Sequence, residues 1–480
     1  MTTYNTPGVF IEEISTLPAS VSAVETAIPA FIGFTEFAGT NSTQDDLLNV
    51  PTRITSLLEY QELFGGPNAE DIQIDIEDEL DGDGNVVTRT ISTSLDSPSA
   101  YKLYYALQLF FNNGGGPCYI VSIGDYETPV TATPFINNGI PSLEKADEPT
   151  LLVFPDAIGV FTHENPADET EELENYAQYG GIVTAALAHC AKLQDRFTIA
   201  DVYDNGSNVT AYRGSLGTSF LNYGAAYHPY LNTSLNYGID ESTLTVNSHT
   251  SPPENGDLTT NSPSLEDLSS TNPSAYRSIL ASIATINVVM PPSGAIAGVY
   301  ARVDSDRGVW KAPANVSLNS VIAPTIKVTS EQQGGLNVDP TSGKSINAIR
   351  TFTGKGTLVW GARTFAGNDN EWRYVPVRRL FIFVEESIKK ATEFVVFEPN
   401  DANTWLRTKT LIENFLASLW REGALAGASP ADAFFVRVGL GETMSSQDIL
   451  EGRMNIEIGM AAVRPAEFII LKFSHKLQES

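Results

Sequence analysis

The C-terminal segment from residue 466 to residue 477 constrains the fold of this chain more than any other stretch. It is dominated by β-branched and aromatic side chains and follows Pro465, a composition that predicts a β-strand. The sequence has no hairpin partner after Leu477. A lone strand exposes apolar side chains and unpaired backbone groups, so we expect another strand to cover it. The residues expected to make this contact are Phe468, Ile469, Ile470, Leu471, Lys472 and Phe473.

The N-terminal residues present the same problem. Pro7 and Gly8 lead into a short strand-like run, and the segment 15–20 after it is typical of a loose connection. The apolar side chains of this run are Val9, Phe10, Ile11 and Ile14. Burying four or five such side chains contributes on the order of 10 kcal/mol, as an upper estimate. Each arm can gain this by pairing within its own domain or by completing the sheet of a neighbouring subunit, and both hypotheses stay open.

The charge of the chain argues against a nucleic-acid partner. The 29 basic and 58 acidic residues give a formal charge of −29, whereas a phosphate backbone requires a basic face. Residues 1–301 hold 8 basic and 38 acidic residues, and residues 302–480 hold 21 and 20. A nearly neutral C-terminal part can pack against copies of itself, while the acidic part suits solvent. The alternative is a solvated acidic surface with no role in assembly.

No stretch of the sequence predicts membrane insertion or a secretory signal, because no apolar run approaches the ~20 residues of a membrane span. We therefore expect synthesis in the cytosol. Cys118 and Cys190 lack the spacing of a redox or zinc motif, and we expect two buried thiols rather than a disulfide or a metal site.

Two segments imitate ligand-binding motifs. Asp81, Asp83 and Asn85 resemble the start of a calcium loop, but Ser92 stands where a bidentate glutamate is needed. Residues 343–345 read Gly-Lys-Ser, yet Val338 replaces the first glycine of a phosphate-binding loop. The sequence therefore predicts no cofactor and no metal.

Periodicity predicts a mixed α/β chain. Strands are expected at 30–34 and 118–123, helices at 56–64 and 101–112, and an acidic hairpin with a turn at 83–85. From residue 150, a strand, a helix at 179–193 and a strand at 197–202 alternate, as in a parallel sheet covered by helices. The polar segment 231–271 favours a surface insertion.

The C-terminal region predicts an α+β domain. Helices are expected at 385–397 and 402–422, and strands at 434–438 and 454–460. Asp401 is placed to cap the second helix at its N-terminus, and Gly423 is placed to end it.

Several motifs in a fixed order resemble one family, the tail sheath proteins of contractile phage tails and contractile injection systems. They are TPGVFIEE (6–13), VMPPSGAIAGVYAR (289–302), RGVWKAPAN (307–315), WGART (360–364), YVPVRRL (374–380) and RPAEF (464–468). The resemblance implies an N-terminal arm (1–29), an outer insertion domain (30–148), a subtilisin-like α/β domain (149–322) with an insertion at about 231–275, a tube-proximal α+β domain (323–465) and a C-terminal arm (466–480). The regions 65–100 and 231–275 match poorly.

The resemblance also implies a structural role without enzymatic activity. Subunits of this family form stacked hexameric rings around an inner tube protein, with baseplate and terminal cap proteins at the ends, and contraction drives the tube through a target envelope. The implied place of assembly is the bacterial cytoplasm, in a phage tail or a related particle that can be released from the cell. The residues expected to face the tube are Arg421, Glu422 and Asp432.

Two other functions stay open from sequence. A non-contractile shell or capsid-like protein would also use exchanged arms. A subtilisin-like hydrolase is the second alternative, because Gly217-Thr218-Ser219 resembles the surroundings of a serine nucleophile, although none of the five histidines stands in a matching motif.

Overall fold

The computed structural model describes residues 21–40, 45–160, 169–252 and 256–471, and these divide into two compact units. The large unit contains residues 25–382 and 464–471, and the small unit contains residues 21–24 and 383–463. The strands are β1 Pro29–Gly33, β2 Thr52–Ile54, β3 Gln73–Leu80, β4 Val86–Ser94, β5 Cys118–Ser122, β6 Leu151–Val153, β7 Phe197–Asp201, β8 Gly224–His228, β9 Leu231–Thr233, β10 Ser248–Thr250, β11 Val289–Met290, β12 Val316–Ser317, β13 Val321–Pro324, β14 Ile346–Phe352, β15 Gly356–Val359, β16 Phe434–Arg437 and β17 Glu457–Met460.

The mixed α/β prediction is confirmed, since helices alternate with these strands. The helices are α1 Leu57–Phe64, α2 Leu103–Asn112, α3 Ala132–Pro134, α4 Ile140–Ser142, α5 Glu169–Leu193, α6 Val209–Ser215, α7 Leu265–Thr271, α8 Pro273–Ile283, α9 Ser293–Arg307, α10 Ser330–Asn337, α11 Val375–Ala391, α12 Ala402–Glu422, α13 Pro430–Ala433 and α14 Ser446–Leu450. The boundary between the two units at residues 382 and 383 falls within α11.

A nine-stranded sheet organises the large unit, with the strand order β12-β15-β14-β8-β7-β6-β1-β5-β2. The six strands from β14 to β5 run parallel, and antiparallel strands flank them on both sides. Every residue of β1, β6, β7 and β8 is buried. Such apolar runs without alternation are what a parallel sheet covered on both faces requires.

Contacts of β7 show that helices cover both faces of this sheet. Thr198 Oγ1 lies 3.3 Å from Cys190 Sγ of α5. Asp201, three residues further along the strand and thus on the opposite face, accepts hydrogen bonds from Ser293 at the start of α9. The thiols of Cys118 and Cys190 are buried and free, as predicted. Burial raises the pKa of Cys190 to about 12, which keeps the thiol protonated.

The two regions that match the family poorly pack against each other. The acidic hairpin forms as predicted, and its inward isoleucines share a second hydrophobic cluster with leucines from the segment expected to be a surface insertion. Strand β10 of that segment pairs with β3. The few apolar side chains of segment 231–271 do not stand out in its polar composition, yet they are buried together with the hairpin isoleucines. The buried residues are Ile72, Ile74 and Ile76 of the hairpin region and Leu244, Val246, Leu258, Leu265 and Leu268 of the segment.

The small unit is built on α12 and the part of α11 beyond residue 382. Asp401 caps α12 by accepting hydrogen bonds from the Asn403 and Thr404 amides, and Gly423 ends the helix in the left-handed conformation, as both were predicted to do. The buried stripe of α12 faces Phe383 of α11, whose ring centre lies 6.0 Å from that of Phe415.

The domain boundaries expected from sequence do not coincide with these two units. Segments 30–148, 149–322 and 323–465 each contribute strands to the one nine-stranded sheet, through β1, β7 and β14 for example. Sequence periodicity identifies strands but not which distant strands pair, because pairing is a property of the assembled sheet.

We predict that Asp201→Asn flattens the dependence of stability on pH. Burial raises the pKa of Asp201 to about 7, against the lowering effect of the Ser293 hydroxyl and amide. The folded chain therefore binds more protons than the unfolded chain, whose aspartates have a pKa near ~3.9, and stability falls as the pH rises from about 4 to about 7. The asparagine side chain can keep both hydrogen bonds. Its oxygen accepts from the Ser293 amide, and its nitrogen donates to the Ser293 hydroxyl, which can also accept. Urea unfolding midpoints between pH 4.5 and pH 8 should show a smaller slope and no loss of stability at pH 8.

Asp156 provides the contrasting variant. Its carboxylate accepts from the backbone amides of Phe34 and Lys102, and the nitrogen of an asparagine cannot replace an acceptor there. Burial raises the pKa of Asp156 to about 7 as well, so the comparison is made at pH 8, where the carboxylate is ionised, and Asp156→Asn should cost about 1–3 kcal/mol there. An Asp201→Asn variant with the full pH slope of the wild type would contradict our assignment.

Candidate assembly interface

The described part of the C-terminal arm presents four consecutive apolar side chains to solvent. Phe468, Ile469, Ile470 and Leu471 are 70%, 80%, 79% and 71% exposed. Residues 466–471 form no strand with any other described residue, so no strand of the described chain covers them. A run of this kind is a liability for a lone subunit and marks a surface that another chain covers.

The small unit contains a sheet with vacant edges. Strands β16 and β17 pair only with each other among the described residues, in antiparallel register from Phe434 opposite Met460 to Arg437 opposite Glu457. One edge of each strand therefore carries backbone donors and acceptors without a strand partner in the described chain. A two-stranded sheet is only marginally stable alone, and helix packing or a further strand stabilises it.

The two faces of this small sheet differ. Val436 points inward and is buried. On the other face, Phe435 is 41% exposed, and the Arg437 guanidinium lies 4.6 Å from the centre of its ring. The Phe435 ring crosses the strand partner Gly459, where a Cβ atom would overlap the ring carbons. Gly459 thus allows an aromatic ring to lie flat across the sheet.

A cluster of polar side chains holds the root of the C-terminal arm. The Glu467 carboxylate accepts hydrogen bonds from Arg363 (Nη2, 2.6 Å), Asn337 (Nδ2, 2.7 Å) and the Tyr374 hydroxyl (3.0 Å). Burial raises the pKa of Glu467, but the hydrogen bonds and charge of these partners outweigh it, and the pKa is lowered overall. The carboxylate is therefore ionised at neutral pH and bound on three sides.

Local pairing positions the partners of Glu467. Arg363 lies opposite Tyr374 in an antiparallel bridge, so the two side chains are neighbours. Asn337 is the last residue of α10. The sequence did not predict this cluster. Arg363, Tyr374 and Glu467 each lie in a motif of the family resemblance, and that shared feature could have indicated that they lie together.

The three residues expected to face a tube lie near one another along the chain. Arg421 and Glu422 are exposed at the end of α12, and Asp432 is exposed in α13. The Asp432 carboxylate also accepts hydrogen bonds from the amide and hydroxyl of Ser429, so it has a structural role in capping α13. The loop between the two helices is tied back by Trp420, whose indole donates to the Gly427 carbonyl.

Several predicted arm residues lie outside the described residues. These are Val9, Phe10, Ile11 and Ile14 of the N-terminal arm, and Lys472 and Phe473 of the C-terminal arm. Their contacts remain predictions.

The residues considered for ligands or catalysis have other contacts. Ser219 is exposed, whereas His189 lies against Arg196 and His249 against Asp78. Lys344 donates to the carbonyls of Arg213 and Leu216. Asp81 accepts from the amides of Asp83 and Asn85 in the hairpin turn. Across the described ranges, no cluster of potential metal ligands is present and no helix has the length and apolarity to cross a bilayer.

Comparison with known proteins assigns the chain to a family. Residues 367–476 match the family described as phage tail sheath C-terminal domain. The chain is 36% identical to a protein in the cryo-EM structure of the anti-feeding prophage baseplate, over 99% of this chain and 100% of that one, with a TM-score of 0.62. It is 31% identical to a protein of the contracted PVC sheath complex of an extracellular contractile injection system, over 99% of both chains, with a TM-score of 0.63.

A curated relative is more distant. The tail sheath protein of Salmonella phage ViI is 27% identical over 139 residues, which are 28% of this chain and 21% of that protein. The long, well-covered matches to the two injection-system proteins decide the assignment. The chain belongs to the family of contractile tail sheath proteins.

Proposed function

We propose that this chain is the subunit of a contractile sheath, which polymerises as stacked rings around an inner tube and contracts to drive the tube through a target envelope. Neighbouring subunits are linked by strand exchange through their terminal arms. The solved relatives include sheath proteins of contracted assemblies and of a baseplate, which supports this function for a chain aligned with them from end to end.

The observation that carries the proposal is that the described chain has both an uncovered arm and a sheet edge without a strand partner. Phe468 to Leu471 are exposed, and one edge of each of β16 and β17 has no strand partner in the part of the chain that the structure describes. Addition of an arm strand from a neighbour supplies backbone hydrogen bonds along the edge and buries the apolar side chains. Four such side chains contribute roughly 6–12 kcal/mol when fully buried, as an upper estimate.

Several linked contacts per subunit keep the lattice connected while subunits move. Two arms hold each subunit to different neighbours, so the loss of one contact leaves the other in place and its rebinding is intramolecular. Contraction is then a transition from a metastable extended lattice to a wider and shorter one, without a nucleotide bound to this chain. The loose connection expected at 15–20 acts as the hinge of the N-terminal arm in this scheme.

The remaining placements are part of the same proposal. The large unit contains the subtilisin-like fold, the loop between α12 and α13 faces the inner tube, and the acidic regions within residues 1–301 face outward. Baseplate and terminal cap proteins close the ends. Assembly takes place in the bacterial cytoplasm, in a phage tail or a phage tail-like particle.

We expect a variant that ends at Glu467 to lose tube formation. It keeps the polar contacts at the arm root but lacks the exposed apolar residues from Phe468 onward, so the vacant sheet edge of the neighbour finds no strand. Negative-stain electron microscopy of the protein expressed alone should show tubes for the full chain and single subunits for the shortened chain.

A full-length variant with Phe468→Ser and Ile470→Ser controls for chain length, and it should also fail to form tubes because one face of the arm strand is polar. Equal numbers of tubes from all three proteins would exclude the C-terminal arm from assembly. Particles that never change length would instead favour a non-contractile shell.

We expect Arg421→Glu to separate tube binding from self-assembly. The reversed charge lies on the surface proposed to face the tube, and the Arg421 side chain is exposed at the end of α12, so tubes of the sheath protein alone should persist. Co-purification with the inner tube protein expressed from the same locus should fall at least tenfold. The control is Arg277→Glu on α8, where the side chain is exposed in the region proposed to face outward. An equal loss in both variants would contradict the placement.

A further inference from the structure

We propose that Glu467 and Arg363 anchor the C-terminal arm to the large unit, so that the free arm begins at Phe468 and a pull on it is transmitted to the nine-stranded sheet. This inference rests on the proposed function in one respect, namely that the arm binds a neighbouring subunit. It adds the residue at which the arm is fixed. It also adds which of the two units moves when the neighbouring subunit moves.

The contacts of Glu467 are those of an anchor rather than of a surface ion pair. Arg363 donates to both carboxylate oxygens, from Nη2 at 2.6 Å and from Nε at 3.0 and 3.2 Å. The Arg363 side chain is only 4% exposed and that of Glu467 is 22% exposed. A two-pronged arginine–carboxylate contact with a buried guanidinium is stronger and more directional than one between two exposed side chains. Asn337 and Tyr374 supply two further donors.

Hydrogen bonds continue from the anchor into the sheet. The backbone amide of Arg363 donates to Asn347 Oδ1 of β14 at 2.7 Å, and Asn347 Nδ2 donates to the Arg363 carbonyl at 2.7 Å. The same Asn347 nitrogen lies 3.1 Å from the Ala226 carbonyl of β8. Asn347 is fully buried. Glu467 is thus connected to two adjacent parallel strands, β14 and β8, through the side chain and backbone of Arg363 and the side chain of Asn347.

The anchor changes which unit holds the arm. Val463 belongs to the small unit, where its amide donates to the Ala424 carbonyl, and the chain returns to the large unit at residue 464. If Glu467 were free, the arm would start at residue 464 and hang from the small unit. The four residues 464–467 would add up to roughly 13 Å to its reach. With Glu467 bound, the large unit of one subunit is tied to its neighbour by a short, defined link.

The first experiment measures the anchor in the isolated subunit. A nitroxide is attached to Ala466→Cys, an exposed position beside Glu467, while Cys118 and Cys190 are buried and stay unlabelled. In the Glu467→Gln and Arg363→Gln variants, we expect the rotational correlation time of the label to fall at least twofold. The second variant leaves the arm sequence unchanged. Glu148→Gln is the matched control, because Glu148 accepts from Arg53 and the Tyr119 hydroxyl in the same unit. It should not change the label.

The second experiment measures the anchor in the assembly. A longer, looser link lowers the effective concentration of the arm at its neighbour. The critical protein concentration for tube formation should therefore rise several-fold in Glu467→Gln, and the spacing between rings should vary more along each tube. Thermal unfolding midpoints close to that of the wild type would confirm that both variants fold.

The outcomes separate the anchor from the function on which it rests. Loss of tubes on removal of residues 468–480, together with unchanged label mobility and unchanged assembly in both anchor variants, would overturn the anchor and leave strand exchange intact. Increased mobility with a raised critical concentration supports the anchor. Tubes that persist without residues 468–480 would overturn the proposed strand exchange, and label mobility would then report on the anchor alone.

Discussion

A β-strand needs backbone partners along its edges, and this chain meets that requirement very differently in its two units. In the large unit, six parallel strands lie inside a nine-stranded sheet with helices on both faces, so their backbone groups are paired within the subunit. In the small unit, β16 and β17 pair only with each other among the strands of the described residues. The arm beyond Glu467 has no partner in the described chain. The arm and the sheet edges that lack a strand partner are complementary, and that complementarity is the basis of the proposed lattice.

The connection between arm and subunit matters as much as the contact between arm and neighbour. An arm joined to its own subunit through a flexible linker would hold subunits together without setting their spacing. The Glu467 carboxylate changes this, because three donors of the large unit fix the last residue before the exposed apolar run. A lattice that shortens and widens must move its subunits as bodies, and a short link to the nine-stranded sheet favours such movement over stretching of the linker.

The acidic regions have a separate structure of their own. The hairpin of β3 and β4 and the segment that carries β10 and α7 bury a second cluster of isoleucine and leucine side chains. Asp78, inside this region, pairs with Arg89 and His249, while most of the neighbouring carboxylates face solvent. Substitutions in this region can leave the nine-stranded sheet undisturbed, because its core is distinct from the main core. This agrees with its poor match to the family motifs.

The sequence by itself determined the local elements whose signals are local. Four of the six parallel strands, β1, β5, β6 and β7, appeared as apolar runs. Asp401 and Gly423 marked the ends of α12, and the alternation of Ile72, Ile74 and Ile76 marked the hairpin. The apolar arm was equally visible, as was the family, through its motifs. Only the tertiary structure decided which strands are neighbours, that the two divergent regions share a core, and that Glu467 meets Arg363 and Tyr374. Those contacts join residues about 90 to 200 positions apart, and no local pattern encodes such a pairing, because its energy arises only once the sheet brings the partners together.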